Sequence, residues 1–137
     1  MTEPEIEQFL AETRLGMFTT LRKDGSPVTV PVWFEWDGSV VRVFVSADSA
    51  KVRRITRDPR ATLLAANHIS EPEAWVAFDG TVTISDSVVF ELAERMAHRY
   101  WDIEQQERRA TVDSWREAAP NLRVLSMSPA RIRSYKD

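Results

Sequence analysis

Three of the four glycines in this chain of 137 residues directly follow an aspartate, and each pair separates two strand-like runs. An Asp-Gly pair favours a type I′ turn, because both central residues of that turn need positive φ and these two residue types tolerate it best. Asp24-Gly25, Asp37-Gly38 and Asp79-Gly80 therefore each predict a tight turn between antiparallel strands. Three such turns favour a core built as an antiparallel β meander.

Runs of residues on either side of the turns predict where the strands lie. In the first run Met17, Thr19 and Leu21 alternate with their neighbours, which is the period of a half-buried strand. The predicted strands are residues 15–21, 28–36, 40–46, 61–67, 75–84 and 122–135. We expect the fifth to fold back at Asp79-Gly80 and the last to break near Ser128-Pro129.

Helical patterns occupy several segments between these strands. The opening Thr2–Glu5 combines a capping box with a proline in the first turn, so it predicts a helix over residues 3–13. A short helix over residues 49–57 interrupts the series of strands after the third one. Apolar residues at helical spacing predict a helix over 87–100, and a polar helix follows over 104–118. The sequence thus predicts an α+β fold.

Length and composition bound the class of protein. A chain of 137 residues is long enough for one core and too short for two, so we expect residues 1–137 to form a single domain. The net charge of -3 argues against a nucleic-acid partner. No apolar run reaches about 18 residues, and no basic segment followed by an apolar run opens the chain. We therefore expect a cytoplasmic protein without membrane contact.

Several familiar kinds of active site are missing from the sequence. There is no cysteine, which excludes disulfides, a thiolate nucleophile and sulfur ligands for a metal. There is no G-x-S-x-G motif, and His68 and His98 stand alone, so we expect neither a hydrolytic triad nor a metal site. The glycine-rich phosphate motifs of Rossmann and P-loop proteins are absent too. Any bound phosphate must therefore be held by side chains.

One short segment concentrates side chains of the right kind. Its five cations are Lys51, Arg53, Arg54, Arg57 and Arg60. On a helix that turns about 100° per residue, Val52 and Ile55 define the inward face and Lys51 lies at its border, with the next three arginines nearly opposite. A lysine at such a border can meet a partly buried anion, where solvent screening is weaker than at the surface. The alternative, a solvated helix face that pairs with Asp48 and Asp58, stays open on the charge pattern alone.

Polar and aromatic residues near this segment extend the candidate site. Ser46 ends the third strand and Ser49 begins the helix, so both hydroxyls could donate to a phosphate, and Ser49 could instead cap the helix. Trp33 lies on the second strand and Trp75 opens the fifth. Both indoles could flank a flat heterocycle or pack in a core or dimer interface. The sequence pattern leaves both roles open.

Four segments together resemble the pyridoxamine-phosphate-oxidase-like flavin and deazaflavin proteins. They are Leu15–Leu21, the Asp24–Pro27 turn, Pro31–Phe34 and Ser49–Arg60. The resemblance spans about residues 8–85. It implies a six-stranded antiparallel split β-barrel with peripheral helices, of the type that binds FMN. Within that superfamily, Ala50–Arg54 and Arg57–Arg60 look most like the actinobacterial branch that uses coenzyme F-420.

This resemblance implies a coenzyme F-420-dependent oxidoreductase that transfers hydride to a small unsaturated or conjugated molecule. An FMN-dependent oxidoreductase and a non-catalytic cofactor- or haem-binding protein on the same fold are the alternatives. The coenzyme carries the reaction, so no obligate catalytic side chain is expected. Members of this superfamily are typically homodimers with the cofactor cleft between subunits, so the resemblance also implies a homodimer.

Roles for individual residues follow from the same resemblance. The lysine equivalent to Lys51 contacts the coenzyme phosphate, nearby arginines face its anionic tail, and the backbone of the second strand lies along the tricyclic ring. The coenzyme-binding residues predicted in this way are Lys51, Arg53, Arg54, Ser46, Ser49, Ala50, Val30, Pro31, Val32, Trp33 and Trp75. The chain departs from the pattern at Ser49, where some relatives carry an arginine, and at Pro31, where they carry a polar residue.

Overall fold

Nine β-strands in two antiparallel sheets form the centre of the computed structural model, which describes residues 1–137. The strands are β1 (Gly16–Leu21), β2 (Pro27–Val32), β3 (Glu35–Trp36), β4 (Val41–Ser46), β5 (Arg60–Ala66), β6 (Ala74–Thr81), β7 (Thr83–Ser85), β8 (Leu122–Met127) and β9 (Arg131–Lys136). The helices are α1 (Glu3–Ala11), α2 (Ala50–Arg57), α3 (Val89–Tyr100) and α4 (Gln106–Ala118), and a 3-10 turn covers Ala119–Asn121. No helix has the length and hydrophobicity needed to span a membrane.

The strand order shows how the two sheets are built. One sheet has the order β2-β1-β5-β6-β9 and the other has the order β3-β4-β8-β7. Because β1 also pairs with β5 and β4 also pairs with β8, the prediction of a simple meander is wrong. Phe18 and Phe78 of the first sheet lie in one buried cluster with Val43 and Leu125 of the second. The predicted α+β split-barrel class is confirmed.

The first two Asp-Gly turns form where they are predicted. Gly25 and Gly38 have φ of +86° and +97°, values that other residues rarely adopt. Their aspartates do not share that conformation, so neither turn is the predicted type I′. Asp37 instead accepts the amide hydrogens of Ser39 and Val40 through its Oδ1, each at 2.8 Å. The aspartate therefore acts through its carboxylate, and only the glycine acts through its backbone angle.

The third Asp-Gly pair is not a turn, which corrects the prediction. Strand β6 runs through Asp79 and Gly80 to Thr81, and its pairing with β5 continues across all three residues. Gly80 has no positive φ, but a Cβ at this position would lie 3.1 Å from Cγ of Met127 and 3.3 Å from the amide nitrogen of Ala130. The glycine is needed for the close approach of another segment.

Two further strands differ in detail from their predictions. The strand predicted over residues 28–36 is split into β2 and β3, which lie in different sheets, because the chain bends at Trp33 and Phe34. The break predicted near Ser128-Pro129 is confirmed, and it sends β8 and β9 into different sheets. The strand count therefore rises from six to nine while the fold class stays the same.

Helix α3 packs beside the four-stranded sheet. Its buried Val89, Leu92 and Met96 form a second apolar cluster with Leu122 and Val124 of β8. The partly buried aromatic residues that border this cluster are Trp33, Phe44, Tyr100 and Trp115. The second cluster therefore joins the C-terminal helices to the bend between β2 and β3.

Candidate functional site

Helix α2 begins and packs as the sequence predicts. Ser49 caps it, because its Oγ accepts the amide hydrogen of Lys51 at 3.2 Å. Ile55 is buried, and Val52 is partly buried against the main core. The predicted inward face is confirmed, and Lys51 stands immediately before it in the first turn.

The two arginines that follow Lys51 have different environments. Arg53 is exposed, and its Nη1 donates to the backbone carbonyl of Asp48 at 2.6 Å. Arg54 is half-buried and its Nε donates to Thr20 Oγ1 at 2.7 Å, so the prediction that it lies opposite the buried face is wrong. Thr20 is 1% exposed, and its buried hydroxyl requires a partner that Arg54 supplies. Both arginines keep other guanidinium nitrogens without a hydrogen bond.

The cations at the other end of α2 bind groups of the protein itself. Nη2 of Arg57 donates to the carbonyl of Leu21 at 3.3 Å. Nε and Nη2 of Arg60 donate to the two carboxylate oxygens of Asp58 at 3.0 and 2.7 Å. This contact, together with a hydrogen bond from the amide of Arg60, lowers the pKa of Asp58 to about 2. The alternative of a face that pairs with carboxylates is therefore confirmed for Asp58. Asp48, in contrast, contributes a backbone carbonyl.

Lys51 is the cation of this segment whose side chain makes neither a hydrogen bond nor an ion pair. It is half-buried at a cavity of about 160 Å³. The other lining residues are Val32, Trp33, Val43, Phe44 and Val45. Burial lowers the pKa of Lys51 below its ordinary value, and the positive charge of Arg54 lowers it further. A bound phosphate or carboxylate would offset both effects, so the donor and its surroundings fit an anionic group.

The structure brings together part of the predicted coenzyme-binding set. Val32 and Trp33 line the cavity with Lys51, and Val30 and Pro31 precede them on β2. Strand β2 lies at the edge of its sheet, so one side of its backbone is not paired with another strand. Pro31 removes one amide donor from this strand.

The remaining predicted residues lie around the cavity or away from it. Ser46 is exposed at the end of β4, and Ala50 is the first residue of α2. Trp75 lies on β6, which is separated from β2 by two other strands of the sheet. Its indole stacks on Tyr135 of β9, with ring centroids 6.4 Å apart. Within one chain, Trp75 is therefore not adjacent to Lys51.

Three apolar residues of the cavity were not among the predicted set. Val43, Phe44 and Val45 come from β4, the strand that leads directly into the segment before α2. Their signal was present in the sequence, because they precede Ser46 in an apolar run. A strand that ends next to a candidate phosphate site is a reasonable source of its apolar wall.

Aromatic side chains of the C-terminal helical region pack against two residues of this wall, Trp33 and Phe44. Trp33 stacks on Tyr100 with ring centroids 5.1 Å apart and planes 2° apart, and Trp101 meets Trp33 edge-on at 4.8 Å. Trp115 of α4 contacts Phe44 at 5.3 Å and Trp101 at 5.6 Å. No local pattern predicts these contacts, because the partners lie far apart in the sequence.

A larger cavity of about 490 Å³ lies elsewhere, between the four-stranded sheet and α3. Its charged side chains satisfy one another, because Arg95 makes two hydrogen bonds to Glu35, at 2.8 and 3.0 Å, and Arg42 makes one to Asp37 at 2.7 Å. No cation there lacks a partner. The cavity at Lys51 is therefore the better candidate for an anionic ligand.

The profile of the pyridoxamine 5'-phosphate oxidase family matches residues 2–136. The chain belongs to the pyridoxamine 5'-phosphate oxidase family. The match includes all nine strands and all four helices of the chain. The segment around Lys51 and the aromatic residues from α3 and α4 therefore both lie inside the region that defines the family.

Individual relatives agree with this assignment. Over 109 residues this family member is 29% identical to the F420H(2)-dependent biliverdin reductase of Mycobacterium tuberculosis, and the match covers 77% of each chain. Its structure is similar, with a TM-score of 0.77, to a conserved hypothetical protein of Mycobacterium tuberculosis that is 25% identical, over 99% of this chain and 85% of that one. It is also similar, with a TM-score of 0.73 and 20% identity, to a structure named F420 reductase, over 93% and 94% of the two chains.

Proposed function

We propose that this pyridoxamine 5'-phosphate oxidase family member is a coenzyme F-420-dependent oxidoreductase that reduces a small unsaturated or conjugated molecule. The observation that carries the proposal is the ammonium group of Lys51, which is half-buried, has no counter-ion and borders an apolar cavity. A phosphate attached to a flat organic body suits such a site. When bound, the deazaflavin supplies the hydride, and the protein supplies orientation, exclusion of water and charge.

The charge around Lys51 supports a coenzyme with more than one anionic group. Arg53 and Arg54 keep guanidinium nitrogens that make no hydrogen bond within the chain. FMN carries a single phosphate, which Lys51 alone could bind, whereas the anionic tail of F-420 suits additional arginines at the rim. The relative named as an F420H(2)-dependent biliverdin reductase supports the same preference.

The apolar side of the cavity supports the placement of a flat ring. Val32 ends the edge strand β2, along which the ring would run, and Trp33 follows it directly. Trp33 is itself held by aromatic neighbours, so the wall beside Lys51 is present before a ligand binds. These residues would bind and orient the coenzyme, and none of them has to exchange a proton. The proton that accompanies hydride transfer would then come from solvent.

Titration of the purified protein with F-420, FMN and haem, followed by tryptophan fluorescence, tests this proposal. We expect F-420 to saturate the protein at the lowest concentration and to quench less in Trp33→Phe, because Trp33 lines the cavity. Trp36→Phe is the matched control, since Trp36 packs against the main core. Turnover is then measured as oxidation of reduced F-420 after a conjugated acceptor is added. Preferential saturation by FMN would contradict the coenzyme assignment, and tight binding of haem alone would favour a non-catalytic protein.

We also propose that the protein is a homodimer that associates through the outer face of the five-stranded sheet. Met17 and Tyr135 are 38% and 42% exposed on this face, which they share with Leu64 and Trp75. Covering this apolar surface would be favourable. We expect sedimentation velocity to show a dimer for the wild type and a monomer for Met17→Glu, with Lys23→Glu in an exposed turn as the control. A monomeric wild type would exclude this arrangement.

A further inference from the structure

Tyr100 ends helix α3, and its hydroxyl group contacts three backbone groups. It donates to the carbonyl of Arg14 at 2.6 Å, accepts the amide hydrogen of Phe34 at 3.2 Å and lies 3.2 Å from the carbonyl of Phe34. Arg14 lies just before β1, and Phe34 lies in the bend between β2 and β3. One side chain therefore ties α3 to both segments.

The bend between β2 and β3 is also held from a second side. Phe34 is fully buried, and a Cβ on Gly16 would lie 3.0 Å from its ring. Strand β1 can approach the ring so closely because residue 16 has no side chain. Phe34 is thus enclosed between the backbone of β1 and the hydroxyl of Tyr100. The backbone of the neighbouring residue Trp33 therefore has little freedom to move.

The ring of Tyr100 acts on Trp33 directly. The two rings are stacked, with planes 2° apart and centroids 5.1 Å apart. Trp33 in turn lines the cavity with Lys51, whereas Tyr100 does not line it. Both the backbone next to Trp33 and the orientation of its indole therefore depend on a residue outside the cavity.

We propose that Tyr100 is a positioning residue for the Lys51 cavity. Its hydroxyl fixes the bend after β2, its ring fixes the indole of Trp33, and the resulting preformed wall raises the affinity for the coenzyme. The inference rests on the proposed function, because it takes F-420 as the ligand of this cavity. A wall that is already ordered lowers the entropic cost of binding. Loss of the hydroxyl frees the bend while Lys51 keeps its place.

Tyr100→Phe tests the inference in protein labelled with fluorotryptophan and observed by fluorine NMR. The chain has five tryptophans, and Trp33→Phe identifies the Trp33 resonance. Tyr135→Phe is the matched control, because Tyr135 is the other of the two tyrosines, also stacks on a tryptophan and makes no hydrogen bond through its hydroxyl. We expect Tyr100→Phe to shift and broaden the Trp33 resonance without coenzyme, and to weaken F-420 binding roughly tenfold. Tyr135→Phe should change neither.

Gly16→Ala is a second variant that should disturb Trp33. The added methyl group would lie 3.0 Å from the ring of Phe34 and 3.0 Å from the side chain of Leu63, so it should disturb the bend while leaving the tyrosine intact. We expect the Trp33 resonance to move in this variant as well and the affinity for F-420 to fall. The resonances of Trp36 and Trp75, which pack away from Trp33 in the main core and on Tyr135, report whether the rest of the fold is retained in each variant.

Three results would overturn the inference. The first is a Trp33 resonance in Tyr100→Phe that matches the wild type. The second is an affinity for F-420 within about twofold of the wild type although the Trp33 resonance has moved. The third is a shift of all five indole resonances, because that would indicate a general loss of packing. Failure of the wild type to bind F-420 would contradict the proposed function instead. The Trp33 resonance of the coenzyme-free protein would then still decide whether Tyr100 holds the indole.

Discussion

The two ends of helix α2 carry the same kind of charge but differ in how much of it is already engaged. In the first turn, Lys51 is half-buried beside an apolar cavity and has no partner. At the other end, Arg57 binds the carbonyl of Leu21, and Arg60 binds the carboxylate of Asp58. A binding site in a basic segment is therefore marked by the cation whose charge is unused, and the number of cations is a poor guide to it.

The largest expected difference between the two ends is in coenzyme binding. Lys51→Ala should weaken F-420 binding by about 2 kcal/mol, or roughly 30-fold. This value is at the low end of the range for truncating one partner of a buried charge pair, because the ammonium group is only half-buried. Arg57→Ala should leave the affinity nearly unchanged, since that guanidinium binds the backbone of β1. Calorimetric titration of both variants measures the difference. Equal losses would mean that the segment acts as a diffuse basic patch.

A smaller difference is expected in the stability of the coenzyme-free protein. Lys51→Met keeps the aliphatic stem and removes a charge that burial and Arg54 disfavour. Because solvent screens this partly exposed charge, the variant should stabilise the fold by only about 0.5 kcal/mol. Lys23→Met is the matched control, because Lys23 is an exposed lysine in the β1–β2 turn. Urea denaturation at neutral pH measures both variants. If Lys51→Met were less stable than the wild type, the ammonium would have a partner within the fold.

The stabilising effect of Lys51→Met should also depend on pH. The folded-state pKa of Lys51 lies below its ordinary value of 10.5, so in the wild type the charge destabilises the fold fully at pH values below the folded-state pKa. As the pH rises from there toward 10.5, the folded protein loses this proton before the unfolded chain does, and wild-type stability recovers. The advantage of the variant should therefore shrink across this alkaline range. A constant advantage would show that the charge is not its cause.

The smallest effect is expected at the Arg60 end of the segment. The pKa of Asp58 is lowered to about 2 from 3.8, first by the side chain of Arg60 and then by its amide. Its contribution to stability is therefore complete above 3.8 and disappears as the pH falls toward about 2. Asp58→Asn should lower the melting temperature slightly near neutral pH, because exposed pairs contribute little, and the difference should close in acid. Asp86→Asn, which removes an unpaired carboxylate, should show no such closing difference in thermal melts.

The three Asp-Gly pairs show how much of the fold local signals can predict. Asp24-Gly25 and Asp37-Gly38 make turns, because each glycine adopts the positive φ that the local chain requires. Asp79-Gly80 has the same local signature but lies inside β6, where the glycine makes room for Met127. Gly25 and Gly38 adopt a positive φ, whereas Gly80 does not and instead lies against Met127 of β8. Local sequence could therefore predict the strands on either side but could not distinguish a turn from a close approach.

The candidate site shows the same division. Helical periodicity was sufficient to separate Lys51 from the exposed Arg53, because both positions depend on one short helix. It misplaced Arg54, since the buried hydroxyl of Thr20 that holds this guanidinium belongs to β1. It did not select Tyr100, because its contact with Trp33 joins the end of α3 to the bend after β2. Each error arises where a partner comes from another element.

By itself, the sequence determined the antiparallel strands, the four helices, the inward face of α2 and the resemblance to a family that the profile match confirms. These properties depend on backbone preferences and apolar periodicity, which act over a few neighbouring residues. Only the tertiary structure decided which cation of the basic segment remains without a partner and which aromatic rings surround it. Charge pairing and ring stacking act over a few ångströms in space, and the chain path that brings such groups together is set by the packing of the whole barrel.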